Sequence, residues 1–322
     1  MADNLFISNF DMKKYVLLTL LFVFSFLVFD FFICFFSEKI VKKQTTGSSG
    51  IINKTIHDSS SVLILGSSRA ANHYNSEIIQ NNLGISVFNG GMGGQGIFYS
   101  YAILNERLKK HTPQLVILDL ASNIMIDKKQ YDKLTVLYPL LDKYDSFYDV
   151  VKISPSYSPV LTHLNAYRYN STAFQLIYDV CKAPRFNDSY VPIEGEISNV
   201  EILKFKNNTN HISNEENKIL FKQLEYVSRI NLLCRHNGVK FIVFISPSFC
   251  EDKSLIVVKH KMLNYLNKNN IMIHDFSSDK KYYGKNELFK DIFHLNSLGS
   301  KIYSKDVSLL LSVRKNNFFS NK

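Results

Sequence analysis

The chain has 322 residues, 46% hydrophobic and 20% charged, with a formal net charge of +10. With an apolar N-terminal stretch set aside, roughly 270 residues remain, enough for one large domain with its own core. The charge comes from lysines scattered through Asn- and Lys-rich loops with no basic stripe, which argues against nucleic acid and fits solvated faces near a membrane.

After a tail of residues 1–14, Tyr15 to Phe36 (YVLLTLLFVFSFLVFDFFICFF) predicts a transmembrane helix. A cleaved signal peptide would end on a small-x-small site, which Ser37-Glu38-Lys39 does not offer. A buried core helix would carry a polar face, and this run has none. Asp30 is costly in lipid but lies towards one end, within reach of the interface. Lys13 and Lys14 flank one side and Lys39, Lys42 and Lys43 the other, so positive charge does not set the orientation. The short tail favours an extracytoplasmic domain. Cys34 lies in the anchor; Cys181, Cys234 and Cys250 have no metal-ligand spacing and allow at most one disulfide.

Residues 37–60 contain a polar Gly/Ser-rich stretch and predict a linker. A domain over residues 61–315 follows. Strands are predicted at 62–65, 85–88, 115–118, 239–245 and 271–274, separated by helices at 70–83, 97–110, about 213–237, 254–269 and 297–313. Residues 124–237 form an insertion, poor in pattern up to about 209, whose loops are placed to carry substrate contacts. Five apolar strands alternating with helices predict a three-layer α/β/α fold with a mostly parallel five-stranded, flavodoxin-like sheet.

Four short blocks carry the chemistry. Val62–Arg69 (VLILGSSR) is a buried strand stopping at a tight turn, which sets Ser68 at the mouth of a site beyond the strand ends. Taken alone, its serines could equally be a helix cap. The cluster NGGMGGQG contains Gly91-Met-Gly93-Gly-Gln-Gly96, a match to a dinucleotide fingerprint, and Asp119 could serve as the ribose acid. However, the cluster follows the second strand rather than the first, and Asp119 comes late. Near the C-terminus, Asp291-Ile-Phe-His294 sets a carboxylate and an imidazole three apart; the carboxylate can hold the ring in the tautomer that takes a proton from a serine. The bland alternative is a histidine that caps or packs against the closing helix.

Together these blocks resemble the SGNH hydrolase superfamily of GDSL-like esterases and acyltransferases, over roughly residues 61–123 and 238–313. LGSSR resembles the first block, with Ser68 as nucleophile. NGGMGGQG resembles the second, with Gly94 lending its amide to an oxyanion hole. DLASN resembles the third, with Asn123 as a side-chain donor, and DIFHLN the last, with Asp291 and His294 completing a triad. Ser67 and Ile124 stand where many members have Asp, a departure in the direction of membrane-anchored relatives that modify cell-envelope glycans. The resemblance implies acyl transfer through acyl-Ser68, with the Ser68 and Gly94 amides and Asn123 meeting the oxyanion, and no cofactor or metal. Its substrate would be an acylated, O-acetyl-bearing glycan outside the cytoplasm. Water as acceptor gives an esterase, and a sugar hydroxyl an O-acyltransferase. The alternative is a non-catalytic or accessory partner of a membrane acyltransferase; a dinucleotide-binding protein ranks below both.

Overall fold

A computed structural model describes residues 12–44, 46–169, 178, 188–198, 212–250, 253–314 and 318–319. Cys181, Pro184 and most of the stretch between 170 and 211 lie outside the described residues.

The chain opens with α1 (Met12–Lys43) and α2 (Gly47–His57), followed by β1 (Val62–Leu65), α3 (Ser68–His73), α4 (Ser76–Leu83) and β2 (Val87–Asn89). Next come α5 (Ile97–Leu108), β3 (Leu115–Asp119) and α6 (Ser122–Met125). The inserted region holds 3-10 turns at Lys128–Gln130 and Asp132–Leu140 and the short helices α7 (Ser146–Val151), α8 (Pro159–Thr162) and α9 (Asn165–Tyr169). The regular pattern resumes with α10 (Asn214–His236), β4 (Lys240–Ile245), α11 (Lys253–Lys268), β5 (Ile273–Asp275), a 3-10 turn at Asn286–Leu288 and α12 (Ser297–Val313).

The five strands form one parallel sheet in the order β2-β1-β3-β4-β5, with Val62 opposite both Val87 and Leu115. This is the expected fold class. Strands covered on both faces need apolar residues at every position, as β1 and β3 have. Side chains alternate between two cores. Leu63, Leu65, Val116, Leu118, Val243 and Ile245 face the layer of α5, α10 and α11; Val62, Ile64, Leu115, Ile117, Ile242 and Phe244 face the layer of α4 and α12. The chain order reverses at β1, whose neighbours are β2 and β3, so the loops after β1 and β3 flank the crevice where such sheets bind ligands.

Two expectations change. The helix expected over 70–83 breaks at Tyr74-Asn75, because His73 and Tyr74 turn into the interior and Asn75 caps α4 by accepting the Ile78 amide. The expected linker is helical and docked. α1 runs on to Lys43, and α2 buries Ile52 and Ile56 completely in the core shared with α5. The sequence GIINKTIH carries apolar residues four apart, so despite its Gly and Ser it has a face to bury. Arg107, itself wholly buried, ties the end of α2 down through the Thr55 carbonyl at 3.4 Å and Asp58 at 3.2 Å.

The helix Met12–Val41 is long and apolar enough to cross a membrane, and most of its surface is open to the surroundings. Asp30 is the exception. Its carboxylate is buried and accepts the Asn165 amide at 3.1 Å, the Asn165 side chain at 3.0 Å and the Ala166 amide at 2.6 Å. The charge expected to reach the interface is satisfied by the start of α9.

Candidate active site

β1 ends at Gly66, where φ is +145° and an added Cβ would lie 2.8 Å from the Asp119 carbonyl oxygen and 2.9 Å from Ala70. Only glycine lets the chain turn this close to β3, and the turn delivers Ser68 as the first residue of α3. Ser68 Oγ lies 2.8 Å from His294 Nε2. His294 Nδ1 in turn lies 2.9 Å from Asp291 Oδ2 and 3.0 Å from Oδ1, and the Phe293 and His294 amides also donate to Oδ1. A serine hydroxyl, an imidazole and a carboxylate 226 and three residues apart in sequence therefore form one hydrogen-bonded chain. Burial pushes the Asp291 carboxyl up, but the hydrogen bonds and charge of His294 and the two amides outweigh it and hold Asp291 below its ordinary range. Asp291 is thus ionised at neutral pH, as an orienting partner for an imidazole must be.

The glycine cluster follows β2, at the edge of the sheet beside β1. Met92 to Gln95 close a turn through the Gln95 amide and the Met92 carbonyl, with Gly94 at φ +76°, a conformation that favours glycine. Neither the Gly93 nor the Gly94 amide has a protein acceptor among the described residues. Gly93 is the glycine that faces Ser68: a Cβ there would stand 3.9 Å from Ser68 Cβ, whereas one on Gly94 would meet Lys133 at 3.8 Å. The inserted region braces this loop. Gln130 Nε2 donates to the Gly94 carbonyl at 3.2 Å, and Gln95 Nε2 to the Lys133 carbonyl at 3.2 Å.

Asn123 sits on α6, immediately beyond β3, half-buried and with no hydrogen-bond partner among the described residues. It lines the same small cavity as Arg69 and Phe293, the chain neighbours of Ser68 and His294. Gln223, wholly buried on α10, fixes α6 by donating to the Ile124 carbonyl at 2.9 Å. Ser67 is buried, and its hydroxyl has no hydrogen-bond partner among the described residues.

Sequence reasoning missed a buried polar network behind the triad. Arg69, next to Ser68, donates from Nε to Ser246 Oγ at 3.0 Å and from Nη2 to the Ser246 and Pro247 carbonyls. Its charge is balanced by Asp119, 3.9 Å away, which also accepts from the Tyr74 hydroxyl at 2.6 Å. Burial pushes the Asp119 carboxyl up, with Arg69 opposing. His73 Nε2 accepts the amide of Leu295, the residue after His294, at 3.0 Å. The proton of its ring therefore sits on Nδ1, 2.9 Å from Ser246 Oγ. Burial, with the charge of Arg69 and the nearness of His294, holds His73 well below the ordinary imidazole range and hence neutral. The network couples the helix that begins at Ser68, the end of β4 and the loop carrying His294. Its one sequence signal was position: Asp119 and Ser246 stand at the carboxyl ends of β3 and β4. Asp119 is buried and engaged by Arg69 and Tyr74, and the glycines follow β2, so Asp119 is not placed to serve as the ribose-binding acid of a dinucleotide site.

Neither a protein-family model nor a curated protein sequence matches the chain. Solved structures do align with it. A protein described as lipolytic and of the G-D-S-L family, from Desulfitobacterium hafniense DCB-2, aligns at 10% identity and TM-score 0.41 over 78% of this chain and 99% of its own. An acetyl xylan esterase from the rumen bacterium Butyrivibrio proteoclasticus aligns at 11% identity and TM-score 0.38 over 80% of this chain and 64% of its own. A Streptococcus pneumonia protein described as a platelet activating factor aligns at 11% identity and TM-score 0.34, over 92% and 99%. All three likenesses are distant, and the geometry of Ser68, His294 and Asp291 stands without them.

Proposed function

We propose that the chain is a serine-dependent ester hydrolase or O-acyltransferase, acting on acyl groups, O-acetyl among them, of an extracytoplasmic glycan through an acyl-Ser68 intermediate. The observation that carries this reading is the continuous hydrogen-bonded chain Ser68–His294–Asp291 at 2.8 and 2.9 Å, set beside unpaired donors at the crevice of the sheet. Ser68 Oγ attacks the ester carbonyl as its proton passes to His294 Nε2. Asp291 holds the ring and stabilises the imidazolium. The tetrahedral oxyanion is met by donors from the Ser68 amide, the glycine turn and Asn123. Collapse breaks the bond to the alkoxy oxygen, which leaves with the proton from His294. Water or a sugar hydroxyl then gives its proton to His294 and takes the acyl group. The membrane helix would keep the domain beside an envelope glycan, and a membrane acyltransferase is a compatible partner.

Labelling with a fluorophosphonate tests this directly, since only an activated serine reacts. We expect the label on Ser68 alone, abolished in Ser68→Ala and reduced by roughly 1,000-fold or more in His294→Ala. Asn123→Ala should slow turnover roughly 100-fold or more while leaving the nucleophile in place. A label on Ser67, or none on folded, membrane-extracted protein, overturns the assignment; the second result points to the accessory role.

A further inference from the structure

Beyond Asp30 the outer surface of α1 stays apolar. Phe31, Phe32, Phe35 and Phe36 are all exposed, and the next cation is Lys39, whose ammonium lies 3.8 Å over the Phe35 ring. The helix advances about 9 Å between Asp30 and Phe36, at about 1.5 Å per residue. A hydrocarbon core of about 30 Å that starts at the level of Met12 ends near Asp30, so a bilayer crossed by α1 puts these phenylalanines in its headgroup layer. Whatever packs against Asp30 stands at the same depth.

What packs there is the segment α8–α9. The Asn165 and Ala166 amides at the start of α9 donate to the Asp30 carboxylate, and the Leu164 amide donates to the Leu161 carbonyl at 3.0 Å, so α8 turns directly into α9. Polar groups of α8 fold back on its own backbone. Ser158 Oγ accepts the Leu161 amide at 3.3 Å, and Thr162 Oγ1 donates to the Ser158 carbonyl at 2.9 Å. The outward surface of α8 is apolar: Val160 is 73% exposed and Leu161 40%, with Pro159 exposed beside them. Tyr157 and Tyr167, both partly exposed, flank the segment in sequence and are of the residue type that gathers at membrane surfaces. Two exposed apolar side chains are ordinary on a protein surface. Their place, one helical turn from the contact with Asp30, is not.

We propose that α8 is a second membrane contact, lying in the lipid interface with Val160 and Leu161 sunk beside α1. The proposal rests on α1 crossing a bilayer and adds to it. Its occupant is lipid because the apolar surface of α8 adjoins that of α1 at Asp30, and the layer that covers the α1 phenylalanines covers α8 with no further partner. Interfacial segments sink their apolar side chains about 5–10 Å into the boundary between headgroups and acyl chains, which matches the stretch from Asp30 to Phe36. A lone helix would let the domain turn about its axis. A second contact off that axis fixes which face of the domain, and so which side of the Ser68 crevice, looks along the membrane.

The chain contains no tryptophan, so a single introduced one reports alone. The whole protein is placed in phosphatidylcholine vesicles, plain or brominated on the acyl chain either near the headgroup or near the methyl end. Val160→Trp and Leu161→Trp should each emit at shorter wavelength than free tryptophan and lose emission to the bromines, more to the shallow set than to the deep one. Phe24→Trp, in the middle of α1, should be quenched more by the deep set. Leu309→Trp is the control for exposure alone: Leu309 is 65% exposed, but on α12, which packs on α3 and α4, and its emission should be unaffected. If the two α8 variants behave like Leu309→Trp while Phe24→Trp is quenched, α8 lies in water and the inference falls with the anchor intact. A blue shift at Val160→Trp without quenching means that protein covers α8, which overturns lipid as the occupant. If Phe24→Trp is itself unquenched, α1 does not cross the bilayer and the second contact falls with the first.

Discussion

His73 does not touch the reacting atoms, yet it holds the amide next to His294 in place, and that duty requires it to be neutral. Unfolded, an imidazole titrates near 6.5; folded, His73 lies well below this. Between the two values the unfolded chain binds more protons than the folded one, so stability rises with pH there and is lost as pH falls below about 6.5. The melting temperature should therefore drop more steeply between pH 7 and 5 in the wild type than in His73→Gln. Parallel slopes would show that His73 does not contribute. The glycine turn gives a second test at this scale. Gly94→Ala should cost about 1–2 kcal/mol of stability, because a non-glycine residue must hold positive φ there. Gly93→Ala carries no such strain but sets a methyl 3.9 Å from Ser68 Cβ, so ester turnover should fall with little change in thermal unfolding. Sequence alone pointed to Gly94 because it aligned with a family block; the direction each glycine faces comes from the turn. The grouping of Ser68, His294 and Asp291 was legible because each sits in a short block whose chemistry is local. Arg69 and His73 were not, because their partner Ser246 reaches them through the sheet order, 177 and 173 residues along the chain.

Among the elements, α2 departs most from its sequence reading. As a linker, residues 47–57 would tolerate substitution. As a helix with two fully buried isoleucines, they are part of the core. Ile52→Ala should destabilise the protein by roughly 2–5 kcal/mol, read by chemical denaturation in detergent, whereas a free linker would give almost no change. The misreading came from composition: Gly and Ser dominate the first half of the stretch, and one buried face four residues apart is a weak signal over so short a span. Strands β1, β3 and β4 were legible almost to the residue, since burial on both faces demands unbroken apolar runs. β5 was less so: the observed strand is Ile273–Asp275, later than the expected 271–274, because three residues at a sheet edge carry little pattern. In the inserted region, 3-10 turns and four- to six-residue helices have no periodicity to detect. Their role in bracing the glycine loop through Gln130 arises only in three dimensions.

For the whole molecule, the question is where the domain would lie relative to a membrane that the apolar helix is long enough to cross, and Asp30 bears on its distance. The helical stretch before it, from Met12 to Phe29, extends about 27 Å at about 1.5 Å per residue, near the ~30 Å thickness of a hydrocarbon core. At Asp30 the protein begins to pack, with the Asn165 and Ala166 amides on the carboxylate. α1 then runs on to Lys43, close to the start of α2 at Gly47, so a membrane crossed by Met12–Phe29 would have the domain close against it rather than hung on a tether. A domain held this way on the outer side could reach an envelope glycan; on the inner side it could not. A cysteine at Ser48, which is exposed on α2, should react with an impermeant maleimide on intact cells above the wild-type background. The adjacent Ser49→Cys is the internal control: Ser49 is only 5% exposed, so its thiol should react slowly until the protein is denatured. Fast labelling at both positions would mean that α2 is not docked. Labelling of Ser48→Cys only after lysis would place the domain in the cytoplasm and remove the glycan substrate, while leaving the Ser68–His294–Asp291 chemistry to be explained by another ester.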